Sequence, residues 1–440
     1  MRVAVVGGGA AGVAAALTLA EFGAQVVLFE ANDRLGGMAD SMPHPVTGVH
    51  INYGVQGIHT SFTHTRAMLR VARQRNSRIP DLRPTRLTSK FVTPQRTWST
   101  SQFDVTADHV RNIRRFRSMC REAQQYPDVF AMFTVVQACA SYFVSDSFVR
   151  DVVCPVLALF FGTGNRVADV PAVLAAQVFN VGLAAGAVTL FDLDDSTFIS
   201  MQKDNMLALP PLRLVYQALH AELRARGVEV RLGARVRTID QNGRVNGEPF
   251  DRVIVAAQAH DAATILSGLP DAARVLGNFR YHTDVTVTHQ DQRHMKATFD
   301  YDGRSNYYIR ERSLADMDMG FDLTLYQMPP QHPDVFQTIF LEPVSAERVA
   351  ALRSASLFAP HVWTQVSHTL HHFWKCVLHI KRIQGPVVYF AGSYQLVNSH
   401  EVAVMSGIRA AQLALATAVF PEKTFGKSGA GFRQFVLQVN

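Results

Sequence analysis

Val3-Ala4-Val5-Val6-Gly7-Gly8-Gly9-Ala10-Ala11-Gly12 carries an apolar strand directly into G-x-G-x-x-G. Apolar and small residues then recur at helical spacing through Val13, Leu17, Leu19 and Ala20. Gly23 stops the helix, and Gln25-Val26-Val27-Leu28-Phe29 forms a second strand that closes on Glu30. A bare glycine triplet says little, but a complete strand, turn, helix and strand around it reads as a dinucleotide-binding unit. Gly7 permits the tight turn, Gly9 lets the backbone approach a pyrophosphate, and Gly12 lets helix pack on strand. The helix start at Ala10-Ala11 turns its dipole toward the phosphates. Glu30 falls about 20 residues past the glycines, where a carboxylate meets an adenosine ribose.

Arg34-Leu35-Gly36-Gly37 follows Glu30 and Ala31 closely, and this second glycine pair lets the chain pass near the diphosphate again. With that extension the chain resembles the flavin-dependent amine oxidase, phytoene desaturase and polyenoic fatty acid isomerase superfamily, where the extended fingerprint marks FAD. A second anchor lies near the other end. Val387-Val388-Tyr389-Phe390-Ala391-Gly392-Ser393-Tyr394 reads as a buried strand, and the stretch from His400 to Ala411 as a helix with small residues at its start. The resemblance implies that the backbone at Gly392 and Ser393 approaches the ribityl-pyrophosphate. It also implies that Glu401, Val402 and Ala403 approach the flavin ring. A third segment, Gly227–Leu232 with Ala234-Arg235-Val236 and Val253–Ala257, resembles the strand pair at the adenine end. There Val236 would offer backbone contacts, with Ala256 beside the cofactor. Met38 stands where many relatives have arginine, so Arg34 is the candidate to replace that phosphate contact. Tyr281-His282-Thr283-Asp284, Ile383-Gln384-Gly385 and His400-Glu401 resemble flavoproteins found beside cyclopropane-fatty-acid synthases. Asn52-Tyr53-Gly54-Val55-Gln56 is similar to fungal oxidases of the amine oxidase type.

The expected fold class is α/β, a Rossmann-type FAD-binding domain with an interleaved α+β substrate domain. Residues 1–80, 205–280 and 375–420 would assemble the FAD domain. Residues 81–204, mainly helical, and 281–374, mainly strand, would supply the substrate domain, and 421–440 form a loose tail. Alternation in Asp284–Thr288 and Asp322–Tyr326 predicts strands there.

At 440 residues, with 48% hydrophobic and 18% charged residues, the chain can bury large cores and is not disordered. Its 43 basic and 36 acidic residues give a net charge of +7, which permits acidic partners without requiring them. Four scattered cysteines (Cys120, Cys139, Cys154, Cys376) point to a reduced, cytoplasmic setting, with neither a disulfide framework nor a metal site. With a strand expected from residue 2, no signal peptide is expected. Val170 to Phe191 carries no charge and is long enough on length alone to span a bilayer. It contains Pro171, Gln177, Asn180, Gly182 and Gly186 and lacks a basic flank, so it reads as a buried element of the substrate domain, with membrane docking and spanning as alternatives. Arg111, Arg114, Arg115, Arg117 and Arg121 fall on one predicted helix, either a solvated face or a landing patch for anionic lipid or an acidic substrate. No base-reading module accompanies them, which argues against nucleic acid. The composition leaves the oligomeric state open.

The superfamily's common reaction, by resemblance, is hydride transfer from a substrate carbon to the flavin. Amine oxidases of this type carry a lysine on a strand that here reads Phe279–Val287 and has none, which puts amine oxidation in doubt. His282 or Asp284 could stand in as a proton-carrying group, or could serve as structural partners. His400 and Glu401, at the start of the flavin-side helix, are further catalytic candidates, although an acid at a helix start is also favourable to the dipole. Tyr394 and Tyr389 could wall the flavin, and Gln56 and His59 lie where relatives bring polypeptide over the ring. Cys376 precedes the last strand, nearer to it than the attachment cysteine of monoamine oxidases, so FAD is expected to be noncovalent. The leading expectation is an FAD-dependent oxidase, dehydrogenase or desaturase acting on a hydrophobic small molecule. The alternatives are a redox-neutral double-bond isomerase of an unsaturated lipid or polyene, and a flavin-binding protein without turnover.

Overall fold

Val3, Ala4 and Val5 have no exposed surface, and Val6 is buried beside them. Such an apolar run without alternation belongs at the centre of a parallel sheet covered on both faces. In the computed structural model, which describes residues 1–100, 106–161, 166–180, 191–192, 206–327, 332–429, 432–433 and 435–436, the run is that strand. Arg2–Val6 pairs in parallel with Gln25–Phe29 on one side and with Arg252–Val255 on the other. Glu229–Arg231 and Val388–Phe390 complete the five-stranded sheet at its two edges. The Ala10–Glu21 helix is nearly all small and aliphatic and is buried over most of its length. It packs against the His400–Ala414 helix, which brings the two ends of the sequence to the same face of the sheet. The helix stops at Phe22, and Gly23 takes a φ of +77° that suits glycine.

A second sheet has seven strands, in the order His361–Val366, Tyr281–His289, Phe336–Phe340, Asp316–Asp322, Tyr307–Ser313, Ser89–Val92 and Thr97–Ser99. All neighbours are antiparallel except Ser89–Val92 and Tyr307–Ser313. Helices Ala107–Gln125, Pro127–Phe130, Val135–Ser141 and Ala172–Val178 pack together, and Cys154–Phe161 packs on the Tyr307–Ser313 strand.

Several expectations change. The predicted strand Asp322–Tyr326 ends at Asp322, whose carboxylate accepts hydrogen bonds from the Thr324 and Leu325 N–H groups and starts a helical turn, Leu323–Tyr326. An N-capping aspartate thus overrides the alternation. Ala234-Arg235-Val236 is irregular rather than a strand, because the strand before it stops at Arg231 and a turn with Gly233 at a φ of +65° follows. The described part of the tail is packed rather than loose. Phe425, Phe432 and Phe435 are buried, and Phe432 packs against His64 beside Phe420, which meets the same ring edge-on. Of the uncharged stretch Val170 to Phe191, residues 181–190 lie outside the described residues. Its first part is the short buried Ala172–Val178 helix, and among the described residues no helix is long and apolar enough to cross a membrane.

Candidate functional site

A cavity of about 680 Å³ runs from the glycine turn to the face of the seven-stranded sheet. The Rossmann end is lined by Gly7, Gly9, Ala10, Ala11, Glu30 and Ala31, then by Gly36, Gly37 and Met38, with Val236, Ala256, Gly392, Ser393 and Ala403 from later segments. The sheet end is lined by Tyr53, Tyr307, Phe321, Ile339 and Trp363, beside Leu87, Leu159 and Met206.

The glycines separate what the fold needs from what a ligand needs. A Cβ on Gly12 would lie 1.8 Å from the Gly7 carbonyl oxygen, and one on Gly7 would lie 2.7 Å from that of Ala256, at a φ of +106°. Chain packing alone therefore demands both, and Gly12 itself does not line the cavity. A Cβ on Gly9 would meet nothing within 4 Å, at an ordinary φ of −72°. The fold leaves that position free, so a side chain there would only fill space at a helix N-terminus, where a diphosphate fits. Glu30 holds the turn in place. Its Oε2 accepts the Gly8 N–H at 2.6 Å, and its Oε1 accepts the Asn32 N–H and side-chain amide, both at 2.8 Å. These features fit an adenine dinucleotide cofactor.

Arg34 departs from expectation and does not line the cavity. Its guanidinium donates to Asp40 through Nε (2.9 Å) and Nη2 (2.7 Å), while Arg213 and the Tyr53 hydroxyl (2.6 Å) bind the same carboxylate. Burial alone would raise the Asp40 pKa, but the hydrogen bonds from Arg213, Tyr53, Ser41 and Arg34 hold it well below the carboxylate range. Arg34 thus clamps the loop after Gly37.

The His400–Ala414 helix divides its first residues between cavity and core. Ala403 lines the cavity, whereas Val402 is packed in the core. Glu401 is also turned away. It accepts hydrogen bonds from the His64 ring (2.7 Å) and from the backbone N–H groups of His64 (2.9 Å) and Thr65 (2.8 Å), and it does not line the cavity. His400 lines the cavity, with Nε2 2.7 Å from the Tyr216 hydroxyl and Nδ1 3.2 Å from Thr65 Oγ1. Burial lowers its pKa to about 4 and raises that of Tyr216. The phenol therefore donates to Nε2, and the neutral imidazole donates from Nδ1. Both ring nitrogens of His400 are thus hydrogen-bonded at the cavity wall.

His282 and Asp284 are fully buried and do not reach the cavity. His282 Nε2 lies 3.2 Å from Asp284 Oδ2, and that oxygen accepts from Gln365 Nε2 at 2.8 Å. Longer side chains on the neighbouring strand, Trp363 and Gln365, extend past them and form the wall. Trp363 donates to Thr286 Oγ1 at 3.1 Å and stacks on Tyr53 with ring centroids 5.7 Å apart. Asn398 lines the cavity and donates its side-chain amide to Gln365 Oε1. These residues were missed in the sequence. The alternation His361, Trp363, Gln365 on one strand was the available signal.

Gln56 and His59 line the cavity. Gln56 donates to Gln337 Oε1 and leaves its own Oε1 buried without a partner, while His59 Nδ1 lies 2.7 Å from Ser61 Oγ. Tyr394 lines it too, its ring packed edge-on against Phe279. Tyr389 lies in the core and donates to the Pro386 carbonyl. Among the described lining residues the charged groups are Glu30, Arg235 and Asp261, all at the Rossmann end, and no lysine lines the cavity. Cys376 is buried and does not line it either, and burial pushes its thiol up to about 12.

Residues 5–72 match the family model described as an NAD(P)-binding Rossmann-like domain. The FAD-dependent oxidoreductase dbaF of Emericella nidulans is 54% identical over 54 residues, a stretch that makes up 12% of this chain and 12% of that protein. Solved structures match over nearly the whole length. A CLA-producing fatty acid isomerase from P. acnes superposes with a TM-score of 0.67 at 13% identity, covering 95% of this chain and 99% of that one. Putrescine oxidase bound to putrescine superposes with a TM-score of 0.63 at 16% identity, covering 94% and 99%. The chain has the Rossmann-based mixed helix and sheet fold of these enzymes.

Proposed function

We propose that this chain is an FAD-dependent oxidoreductase that takes a hydride from a C–H bond of a hydrophobic small molecule. One observation carries the reading: a single cavity joins the glycine-rich nucleotide cradle to an aromatic and aliphatic wall on the second sheet. The likeness to dbaF at the nucleotide end and the shared fold of the isomerase and putrescine oxidase support it.

FAD, when bound, supplies the hydride acceptor. Gly9 and the helix start at Ala10-Ala11 would hold its diphosphate, with Glu30 on the ribose side and Val236 on the adenine side. Gly392, Ser393 and Ala403, which line the cavity further on, would border the remainder. Tyr53, Trp363, Phe321 and Ile339 exclude water and orient the substrate, with Gln365 and Asn398 offered to any polar group it carries. An ammonium at the sheet end would lack a described counter-charge, at a cost of several kcal/mol in an apolar site (about 2–7 even for a neutral polar group). This supports an uncharged substrate over an amine. Holding FAD without a covalent link agrees with Cys376 lying away from the cavity, and four buried free cysteines agree with a reducing, cytoplasmic setting.

A redox-neutral double-bond isomerase is the second reading. The ring nitrogens of His400 are both engaged, and no acid lines the described sheet end. A hydride removed and returned to the same substrate needs no base, whereas desaturation must also dispose of a proton. The test is to release and identify the flavin from purified protein, then screen hydrophobic substrates for flavin bleaching. Bleaching with oxygen or acceptor consumption supports oxidation, and conversion without consumption supports isomerisation. Protein that neither carries nor takes up FAD overturns both.

A further inference from the structure

Large hydrophobic side chains are exposed in one neighbourhood. Tyr126, Val129, Met132 and Phe133 follow the C-terminus of the Ala107–Gln125 helix, and with Phe143 and Trp374 they are between 40 and 76% exposed. Contacts tie them together. The Trp374 indole donates to the Ala131 carbonyl at 3.0 Å, and the rings of Phe130 and Tyr142, next to the exposed residues, lie 6.1 Å apart. Phe143, the most exposed, holds a φ of +56°. A bulky aromatic in the left-handed region is unusual, and its ring gains nothing there from burial.

The helix beside this patch carries Arg111, Arg114, Arg115, Arg117 and Arg121 against only Asp108 and Glu122. Arg115 donates to the Phe143 carbonyl at 2.6 Å, which sets this helix beside Phe143, while Arg111 pairs with Asp108. Lys375 adds a further exposed cation next to Trp374. Apolar side chains that enter an interface, flanked by cations and with an indole at the edge, match the physical profile of a surface that rests on a bilayer of negative charge. An anionic lipid surface receives apolar tips and the cations beside them together, the tips in its interface and the cations at its headgroups.

We propose that this face docks the protein peripherally on an anionic lipid bilayer. The test is cosedimentation of the full chain with vesicles of phosphatidylcholine alone and of phosphatidylcholine with phosphatidylglycerol, at low and raised salt. Wild type is expected to bind the anionic vesicles about tenfold more than the neutral ones, and less at raised salt. Val129→Asp with Met132→Asp, and separately Arg111→Glu with Arg114→Glu, are each expected to lower binding about tenfold with an unchanged thermal midpoint. Phe143→Asn, which suits a positive φ, should weaken binding while folding normally. No vesicle binding, equal binding to both compositions, or variants that bind like wild type would overturn the proposal. So would self-association in sedimentation velocity that the apolar double variant abolishes, since the patch would then belong to a second copy.

Discussion

Glu401 caps a helix other than its own: its carboxylate reaches across to His64, 2.7 Å from Nδ1 and 2.9 Å from the backbone nitrogen, and also takes the Thr65 N–H at 2.8 Å. The first turn of the Thr63–Arg75 helix is thereby fixed to the start of His400–Ala414. Burial alone would raise the Glu401 pKa, but the His64 and Thr65 interactions outweigh it and leave it below the usual 4.5. A carboxylate lowered on folding contributes stability that is complete above its unfolded value and is lost as pH falls through the folded one. Glu401→Gln should cost about 1.5–3 kcal/mol at neutral pH, and denaturant melts should show a flatter acid limb. Flavin content of the folded variant should match wild type, and a selective loss of flavin would return Glu401 to the cofactor site.

Gly9 and Gly12 should respond oppositely to a methyl group. At Gly12 the new Cβ would sit 1.8 Å from a backbone oxygen, so Gly12→Ala should fold poorly or melt well below wild type. Gly9→Val points into open cavity and should lose FAD by about tenfold or more, the effect of about 1.4 kcal/mol of lost binding, while its FAD-free form melts like FAD-free wild type. Thermal melts with flavin quantitation separate the two. A Gly9 variant that keeps its flavin would place the diphosphate elsewhere.

The nucleotide end was legible because its signals are local: Gly7, Gly9, Gly12 and Glu30 sit within one strand, helix and strand unit whose spacing the backbone dictates. The catalytic candidates were not, because they depend on which side chains reach farthest from one sheet face. His282, Asp284 and Thr286 alternate on one strand and face Gln365, Trp363 and His361 across the ladder. From one strand alone His282 and Asp284 look exposed to the site, yet the longer Gln365 and Trp363 cover them. Likewise Glu401 looked like a flavin contact until the fold brought His64, 337 positions away in sequence, to its carboxylate.

His400 should destabilise the protein in acid. Its pKa falls to about 4 in the fold against an unfolded 6.5, through burial. A neutral buried histidine contributes stability that is intact above pH 6.5 and is lost as pH falls from there toward 4, by about 3 kcal/mol across the window. His400→Gln should reduce the slope of stability against pH between those limits. Tyr216→Phe, which leaves Nε2 without its donor, should cost about 1–3 kcal/mol at pH 7. An unchanged slope in His400→Gln would mean that the ring is already solvated.

Cys376 should be inert. Its thiol is buried and pushed up to about 12, and Cys139 behaves alike. The native protein should therefore resist thiol labelling at pH 8, and acid precipitation should leave FAD in the supernatant. Colour retained in the pellet, and lost in Cys376→Ser, would show covalent attachment.

Asp284 tests how the cavity floor is organised. Its carboxylate, without exposed surface, accepts from Gln365 Nε2 at 2.8 Å. Gln365 then accepts from the Asn398 amide, and the Asn398 backbone donates to His368 Nε2 at 2.9 Å. Every amide in this chain is oriented by the one before it, so the groups shown to the cavity are set from behind by a residue that does not line it. Asp284→Asn brings a second amide against Gln365 and allows both to turn over. With a bleaching substrate in hand, the variant should reduce its flavin about tenfold more slowly, the equivalent of about 1.4 kcal/mol, and should raise KM. The pH dependence of the rate should keep its shape, because Asp284 positions Gln365 and moves no proton. Gln365→Ala should lose as much, and combining the two should add little, as expected for partners in one network. If Asp284→Asn instead removes a limb of the pH profile, the carboxylate is acting as an acid or base, and the reading of His282 and Asp284 as buried support fails.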